Sequence, residues 1–191
     1  GLARGGLPDV EVTYVPDWYN HALFLDANAQ CVSSALARVE PTLREGAELV
    51  FTAHSIPESM AARYPYRAQF EETARLVAER AWPGGRYSTV YQSRSGRPDD
   101  PWLGPDVCDH LREARARGSE AAVLSPIGFV CDHVEVLYDL DVEARGVCDE
   151  IGLPMVRAQT VNDHPQFLDM MTDVVLRVCN RYEHARPLEL V

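Results

Sequence analysis

Residues 48–53 read ELVFTA and are followed directly by HSIP at positions 54–57. A short apolar run that ends at polar and proline residues is typical of a strand buried on both faces, as in a parallel sheet. Four further β-rich runs predict strands at 10–15, 87–92, 121–130 and 155–158. The chain therefore has enough strands for one small sheet.

Amphipathic segments separate these runs and predict helices at about 25–39, 67–81, 106–117, 133–150 and 166–182. The last segment has an apolar stripe, with Asp163 as a candidate cap and Pro165 in the first turn. Segment 93–105 is rich in Gly, Pro, Asp and Arg and predicts a long loop. Alternation of strands and helices predicts an α/β fold, a parallel sheet with helices on both faces.

Length and composition indicate one folded domain that covers residues 1–191, with 46% hydrophobic and 25% charged residues. The net charge of −11 disfavours binding to a phosphate backbone, so nucleic acid is not expected as a partner. No stretch approaches the roughly 18 apolar residues of a bilayer span, and the first ten residues lack the apolar core of a signal peptide. A cytoplasmic location without an integral membrane segment is the resulting expectation.

The five cysteines are dispersed along the chain and contain no CxxC pair. This spacing argues against a disulfide framework and against a thiolate zinc site, and it favours five separate small hydrophobic residues.

Polar residues follow three of the predicted strands. His54 follows one strand, Ser93 and Arg94 follow the next, and CDHVE at 131–135 follows a third. Because ligands of parallel sheets bind outside the carboxyl ends of the strands, an imidazole and a carboxylate are expected to meet at one edge. The alternative for His54 is a hydrogen-bonded histidine at a strand end.

Glu135, Asp139 and Glu143 recur at four-residue intervals on one predicted helix, and no Lys or Arg occurs between Gly118 and Arg145. Like charges at this spacing destabilise a helix, although such a row is also compatible with a solvated face. Imidazole plus carboxylate suits a loosely held divalent metal such as ferrous iron, and the row can carry protons or cations. Dinucleotide, nucleotide and hydrolase motifs are absent from the sequence.

Three segments resemble the ferrochelatases, which insert ferrous iron into a porphyrin in haem synthesis. They are FTAHSIP at 51–57, DPWLGP at 100–105 and PIGFVCDHVEVLYDLD at 126–141. The resemblance runs from about residue 10 to residue 178. It is strongest to the bacterial, coproporphyrin-using branch, particularly its actinobacterial members.

This resemblance implies a flavodoxin-like domain in which His54 and Glu135 are the catalytic and metal-site residues. Asp139 and Glu143 match an acidic row on a helix with a π-type distortion, thought to conduct metal or protons. Four further residues match positions near the porphyrin: Trp102 beside the macrocycle, Ser93 near a propionate, Arg94 and Tyr66. For Arg94 the alternative is solvent exposure, and for Tyr66 it is loop packing.

Ferrochelatases have two similar α/β domains, and this chain resembles only the second, so the N-terminal domain is absent from it. The iron–sulfur cysteines of actinobacterial relatives have no counterpart here, so no cofactor beyond the substrate Fe2+ is expected. The implied activity is Fe2+ insertion into coproporphyrin III, with protoporphyrin IX as the second porphyrin. The alternatives are a non-catalytic module that binds divalent metal and a related cobaltochelatase, against which HSIP and DHVEVLYDLD argue.

Overall fold

The structure is a computed structural model that describes residues 12–97 and 99–183. Its sheet has four parallel strands in the order β2-β1-β3-β4, which confirms the predicted α/β class. The strands are β1 (Ala47–His54), β2 (Arg86–Gln92), β3 (Ala121–Ser125) and β4 (Met155–Arg157). Because β1 has β2 on one side and β3 on the other, the carboxyl ends of β1 and β3 flank the point where the strand order reverses.

Helices cover both faces of the sheet. The described helices are α1 (Ala22–Leu36), α2 (Glu58–Ala61), α3 (Tyr66–Ala81), α4 (Val107–Ala116), α5 (Val134–Tyr138), α6 (Arg145–Ile151) and α7 (Pro165–Glu183). A 3-10 turn occupies Pro41–Leu43, and a π-helical segment, Asp139–Ala144, joins α5 to α6. None of the described helices has the length and apolarity needed to cross a bilayer.

The side chains of β1 alternate between two cores. Leu49 and Phe51 pack with α1 and α3, whereas Val50 packs with α4, the π-helical segment and α6. All three side chains are buried, and full burial of such a side chain contributes about 1.5–3 kcal/mol. A third core lies between α1 and α7 around Phe24 and Met170. This two-sided burial explains why the strand sequence is almost continuously apolar.

Three sequence predictions are wrong in detail. A strand was predicted at 10–15, but residues 12–15 are not a strand, and residues 10 and 11 lie outside the described residues. No described strand pairs with residues 12–15, and Tyr14 among them is 74% exposed. The strand predicted at 121–130 ends at Ser125 because Pro126 opens a turn. Helix α7 begins at Pro165, but His164, not Asp163, caps it by accepting from the N–H of Gln166 over 3.3 Å.

Candidate active site

His54 is the last residue of β1, at the carboxyl edge of the sheet. Its ring nitrogen Nδ1 lies 2.5 Å from the carbonyl oxygen of Ser55. Because a carbonyl oxygen can only accept, Nδ1 carries a proton, and the neutral imidazole then has its lone pair on Nε2. The half-buried imidazole is therefore held in the tautomer that binds a metal ion or accepts a proton through Nε2.

The loop after β3 crosses the end of β1 at close range. A Cβ atom at Gly128 would lie 2.6 Å from Cβ of Ala53, so only glycine permits this approach. The next residue, Phe129, places its ring centroid 6.4 Å from that of His54 and 5.2 Å from that of His133. Phe129 thereby packs between the two imidazoles and joins the ends of β1 and β3.

Glu135 lies in the first turn of α5, two residues after His133. His133 caps this helix, and its Nδ1 accepts from the N–H of Glu135 over 3.2 Å. The carboxylate of Glu135 is exposed to solvent. Across residues 12–97 and 99–183, no three His, Cys, Asp or Glu side chains gather into a closed metal site. Contacts through Phe129 and His133 link the end of β1, at His54, to the first turn of the helix that carries Glu135.

Asp139 is tied to the end of β2 by two donors. Oδ2 of Asp139 accepts from Nε2 of Gln92 over 3.2 Å and from the hydroxyl of Ser93. Gln92 is buried, and its Oε1 accepts from the hydroxyl of Thr52 over 2.7 Å. Ser93 has a φ of 60°, in the left-handed region that side chains other than glycine rarely adopt. The network orients one carboxylate of the acidic row toward the carboxyl edge of the sheet.

The π-helical segment brings the acidic row back into line. In an α-helix, four residues advance about 40° beyond a full turn, so Asp139 is rotated relative to Glu135. In a π-helix, with about 4.4 residues per turn, four residues fall about 30° short of a full turn. Glu143, which is four residues into this segment, therefore returns to nearly the same face as Glu135. The π-type distortion implied by the family resemblance is confirmed at Asp139–Ala144.

Arg157, the last residue of β4, holds two acidic residues beside the site. Its guanidinium donates to Asp132 over 2.8 Å and to both carboxylate oxygens of Asp141 over 2.9 Å. Asn162 binds the other oxygen of Asp132 over 3.1 Å and also accepts from its N–H over 3.0 Å. Because these contacts hold both ends of segment 132–141, they position the stretch that carries the candidate catalytic side chains.

Segment 101–103 packs against the chain that follows His54. The N–H of Leu103 donates to the carbonyl oxygen of Ile56 over 3.0 Å, and the hydroxyl of Ser55 donates to the carbonyl oxygen of Leu103 over 2.7 Å. Trp102 is half-buried, and its indole packs on the backbone of Gly96. The N–H and the carbonyl oxygen of Leu103 are thus both used within the protein, beside the candidate site.

Two further predicted residues lie in the same region. Arg94 is exposed and donates to the carbonyl oxygen of Asp100 over 3.0 Å. Tyr66 donates through its hydroxyl to the carbonyl oxygen of His54 over 2.9 Å. Burial raises the pKa of Tyr66 to about 12, so this hydroxyl keeps its proton near neutral pH. Tyr66 also lines a cavity of about 370 Å³ together with Ala53 and Val130.

Four residues at the site were not assigned roles from the sequence: Phe129, His133, Gln92 and Arg157. Gln92 and Arg157 are the last residues of β2 and β4, so attention to strand ends could have found both. His133 lies within the acidic motif, two residues before Glu135. Phe129 has no such signal, because only the fold shows that its ring lies between two imidazoles.

The ferrochelatase family model matches residues 2–178 of the chain. Coproporphyrin III ferrochelatase from Streptomyces coelicolor is 41% identical over 189 residues, covering 92% of this chain and 50% of the relative. The protein of the same name from Streptomyces griseus is 44% identical over the same shares. The chain thus spans about half the length of these curated relatives.

Solved structures give a weaker likeness. DR2241 from Deinococcus radiodurans, described as a multi-domain protein with structural similarity to chelatases, has a TM-score of 0.49 and 16% identity. The match covers 78% of this chain and 28% of that one. The family assignment rests on the sequence matches, which extend over nearly the whole chain. The chain belongs to the ferrochelatase family.

Proposed function

We propose that this chain forms one wall of a ferrochelatase active site that inserts Fe2+ into a porphyrin during haem biosynthesis. The observation that carries the proposal is the junction of β1 and β3, where Phe129 packs between His54 and the helix cap that precedes Glu135. The relatives' names support coproporphyrin III as the first porphyrin to test, with protoporphyrin IX as the second. The opposite wall of the cleft would come from a domain like the one that makes up the other half of these relatives.

Metal insertion replaces two pyrrole protons with one Fe2+ ion, so the site has to accept protons and admit a cation. In the proposed mechanism, Glu135 accepts pyrrole protons, and Nε2 of His54 guides the metal or accepts the second proton. The lone pair on Nε2 fits both tasks of His54.

Asp139 and Glu143 extend the acidic face behind Glu135 in this proposal. Their alignment along the π-helical segment supports a path for protons or cations between the metal site and solvent. The hydrogen bonds from Gln92 and Ser93 keep Asp139 on that path.

Porphyrin contacts by Trp102, Ser93, Arg94 and Tyr66 stay predictions. The hydroxyls of Ser93 and Tyr66 already donate to protein groups, so each would also have to accept from, or exchange its bond for, a porphyrin group. In this proposal Fe2+ is a substrate, and no resident cofactor is assigned to this chain.

The test is anaerobic insertion of Fe2+ into coproporphyrin III and protoporphyrin IX, followed by absorbance. Both porphyrins are assayed with the chain alone and with the chain joined behind the amino-terminal half of the Streptomyces coelicolor relative. We expect insertion when both halves are present, with coproporphyrin III the faster substrate. His54→Ala and Glu135→Gln are expected to abolish insertion while thermal unfolding stays unchanged.

Glu150→Gln is the matched control, because Glu150 is an exposed carboxylate on α6 of the same helical stretch. Its insertion rate should equal that of the parent. Wild-type rates in both His54→Ala and Glu135→Gln would refute the site assignment.

A non-catalytic module that binds divalent metal is the second candidate for the chain by itself. The observation that favours it is that the chain spans only about half the length of its relatives. Co2+ or Zn2+ binding that depends on His54, with no insertion into either porphyrin in any form of the protein, would support this function. Cobalt insertion into sirohydrochlorin in the same assay would instead identify a cobaltochelatase.

A further inference from the structure

A second cavity, of about 640 Å³, opens beside β4 and shares no lining residue with the cavity at Tyr66. Strand β4 pairs with β3 alone among the described strands, so its outer edge borders this space. Helix α1 contributes Ser34, and the helical stretch after β3 contributes Asp141 and Arg145. The volume falls in the range of about 300–1,000 Å³ that is typical of small-molecule sites.

The lining of this cavity is rich in positive charge. Three guanidinium groups, of Arg38, Arg145 and Arg157, face one lining carboxylate, that of Asp141. This is a local surplus in a protein whose net charge is −11. The protein as a whole attracts cations, whereas the lining of this cavity favours an anion.

The carboxylates nearby are already used by one of the three arginines. Arg157 binds Asp141 over 2.9 Å and Asp132 over 2.8 Å. Arg145 reaches Asp141 only at 3.8 Å, and its side chain is 43% exposed. Arg38 donates over 2.5 Å to the carbonyl oxygen of Arg157, which is an uncharged acceptor. Among the described residues, Arg38 thus has no carboxylate partner, and Arg145 has only a distant one that Arg157 already binds.

Neutral hydrogen-bonding groups complete the lining. Ser34, Gln30, Gln159 and His164 surround the same space. Gln30 and His164 are 3.2 Å apart through Oε1 and Nε2, so part of this polar wall is ordered by its own contacts. The hydroxyl of Ser34 and the amide of Gln159 can each donate to an oxygen that the arginines attract, whereas Nε2–H of His164 already donates to Gln30.

We propose that this cavity binds a small multivalent anion with carboxylate or phosphate groups. Guanidinium groups present paired donors that match the oxygens of either group, and a charge-assisted pair of this kind is stronger than a neutral hydrogen bond. Arg38 and the weakly paired Arg145 supply the charge for the anion, while Arg157 stays bound to Asp132 and Asp141.

The test is isothermal titration of the whole chain with citrate and with inorganic phosphate at pH 7 and low ionic strength. We expect saturable binding, and the tighter of the two probes identifies the preferred oxygen chemistry. The Arg38→Gln/Arg145→Gln double variant should raise the Kd at least ~10-fold, because it removes the two guanidinium groups that would bind the anion. Arg157 is left in place because its ion pairs belong to the fold.

The matched control is the Arg112→Gln/Arg117→Gln double variant, which removes the same charge from exposed pairs on or just after α4. Its Kd should change less than ~2-fold at constant ionic strength, since long-range interactions between exposed charges are screened. A third variant, Arg38→Lys/Arg145→Lys, keeps the charge and loses the paired donors, so its Kd should lie between those of the parent and the Gln double variant.

Absence of saturable binding of both probes to the parent would overturn the proposal. So would an equal loss of affinity in the α4 control, because that result would indicate attraction by overall charge. Circular dichroism of each variant verifies that the fold is retained, and the Lys variant keeps the test valid if the Gln double variant unfolds. The assay uses no porphyrin, so its outcome is independent of the proposed ferrochelatase activity.

Discussion

Glu48, near the start of β1, provides a sharp test of how this fold is stabilised. Its carboxylate is 5% exposed and accepts from Nε2 of His110 over 2.8 Å, from Ser88 over 2.7 Å and from Ser119 over 3.0 Å. The hydrogen bond from His110 is the largest influence and, with the two serines, lowers the pKa of Glu48 to about 2 against the opposing effect of burial.

The pKa of this carboxyl group gives the magnitude. The ordinary value is 4.5, and the fold lowers it to about 2. At about 1.36 kcal/mol for each tenfold change, the ionised form stabilises the fold by roughly 3 kcal/mol relative to the protonated form. Because the folded-state pKa is lowered, this contribution is fully present above about pH 5 and is lost as the pH falls toward about 2.

Glu48→Gln should therefore lower the free energy of unfolding by about 2–4 kcal/mol at pH 7, because the amide replaces one accepting oxygen with a donor that faces other donors. For a chain of this size, that corresponds to a Tm lowered by about 4–16 °C. Urea unfolding followed by circular dichroism measures it at pH 7, 5, 4 and 3. The difference between parent and variant should shrink as the pH falls from 5 to 3.

Glu113→Gln is the control, since Glu113 forms an exposed pair with Arg117 at 3.3 Å and should change stability by less than about 0.5 kcal/mol. Equal stability of Glu48→Gln and the parent at pH 7, or a difference that does not depend on pH, would refute the reasoning about this buried carboxylate.

Three further substitutions test contacts at the site by the same unfolding assay. Arg157→Met should lower the free energy of unfolding by about 2–4 kcal/mol, because it leaves Asp132 and Asp141 without their shared cation. Arg145→Gln should lower it by less than about 0.5 kcal/mol, and equal effects of the two variants would contradict the role of Arg157. Gly128→Ala should lower the free energy of unfolding by about 1–3 kcal/mol, since its Cβ would lie 2.7 Å from the backbone Cα of Ala53. An unchanged Tm would show that the loop can move aside. Tyr66→Phe should lower the free energy of unfolding by about 1 kcal/mol, because the hydrogen bond to the carbonyl oxygen of His54 is lost. An absorbance titration of the parent should show a tyrosine that ionises near pH 12, and this tyrosine should be missing from the variant.

Arg157 also explains how the fold tolerates the many carboxylates that follow β3. No Lys or Arg lies between Gly118 and Arg145 in the sequence, so local reasoning predicts that the carboxylates of this segment destabilise the helix. In the fold, Arg157 arrives from β4 and binds two of them. Compensation of this kind depends on strand neighbours that are far apart in sequence, so helix periodicity could not reveal it.

The fold class and the catalytic candidates could be predicted because both depend on local patterns. Apolar runs such as 48–53 identify strands buried on two faces, and polar residues at strand ends identify the edge where ligands bind. His54 and the 131–135 segment were found in this way: His54 ends β1, and the segment follows the turn that leaves the neighbouring strand β3. The strand predicted from the apolar run 10–15 was wrong over residues 12–15, because an extended segment is a strand only when a neighbouring strand pairs with it.

The sequence by itself determined the α/β class, the positions of most helices, the acidic row and the family, since each depends on the order and spacing of residues along the chain. Only the tertiary structure decided which side chains hold the site together. Phe129 lies between His54 and His133, Gln92 and Ser93 orient Asp139, and Arg157 joins Asp132 to Asp141. These contacts link residues on different strands and loops, and the physical reason that they form is the parallel register that brings those strand ends to one edge.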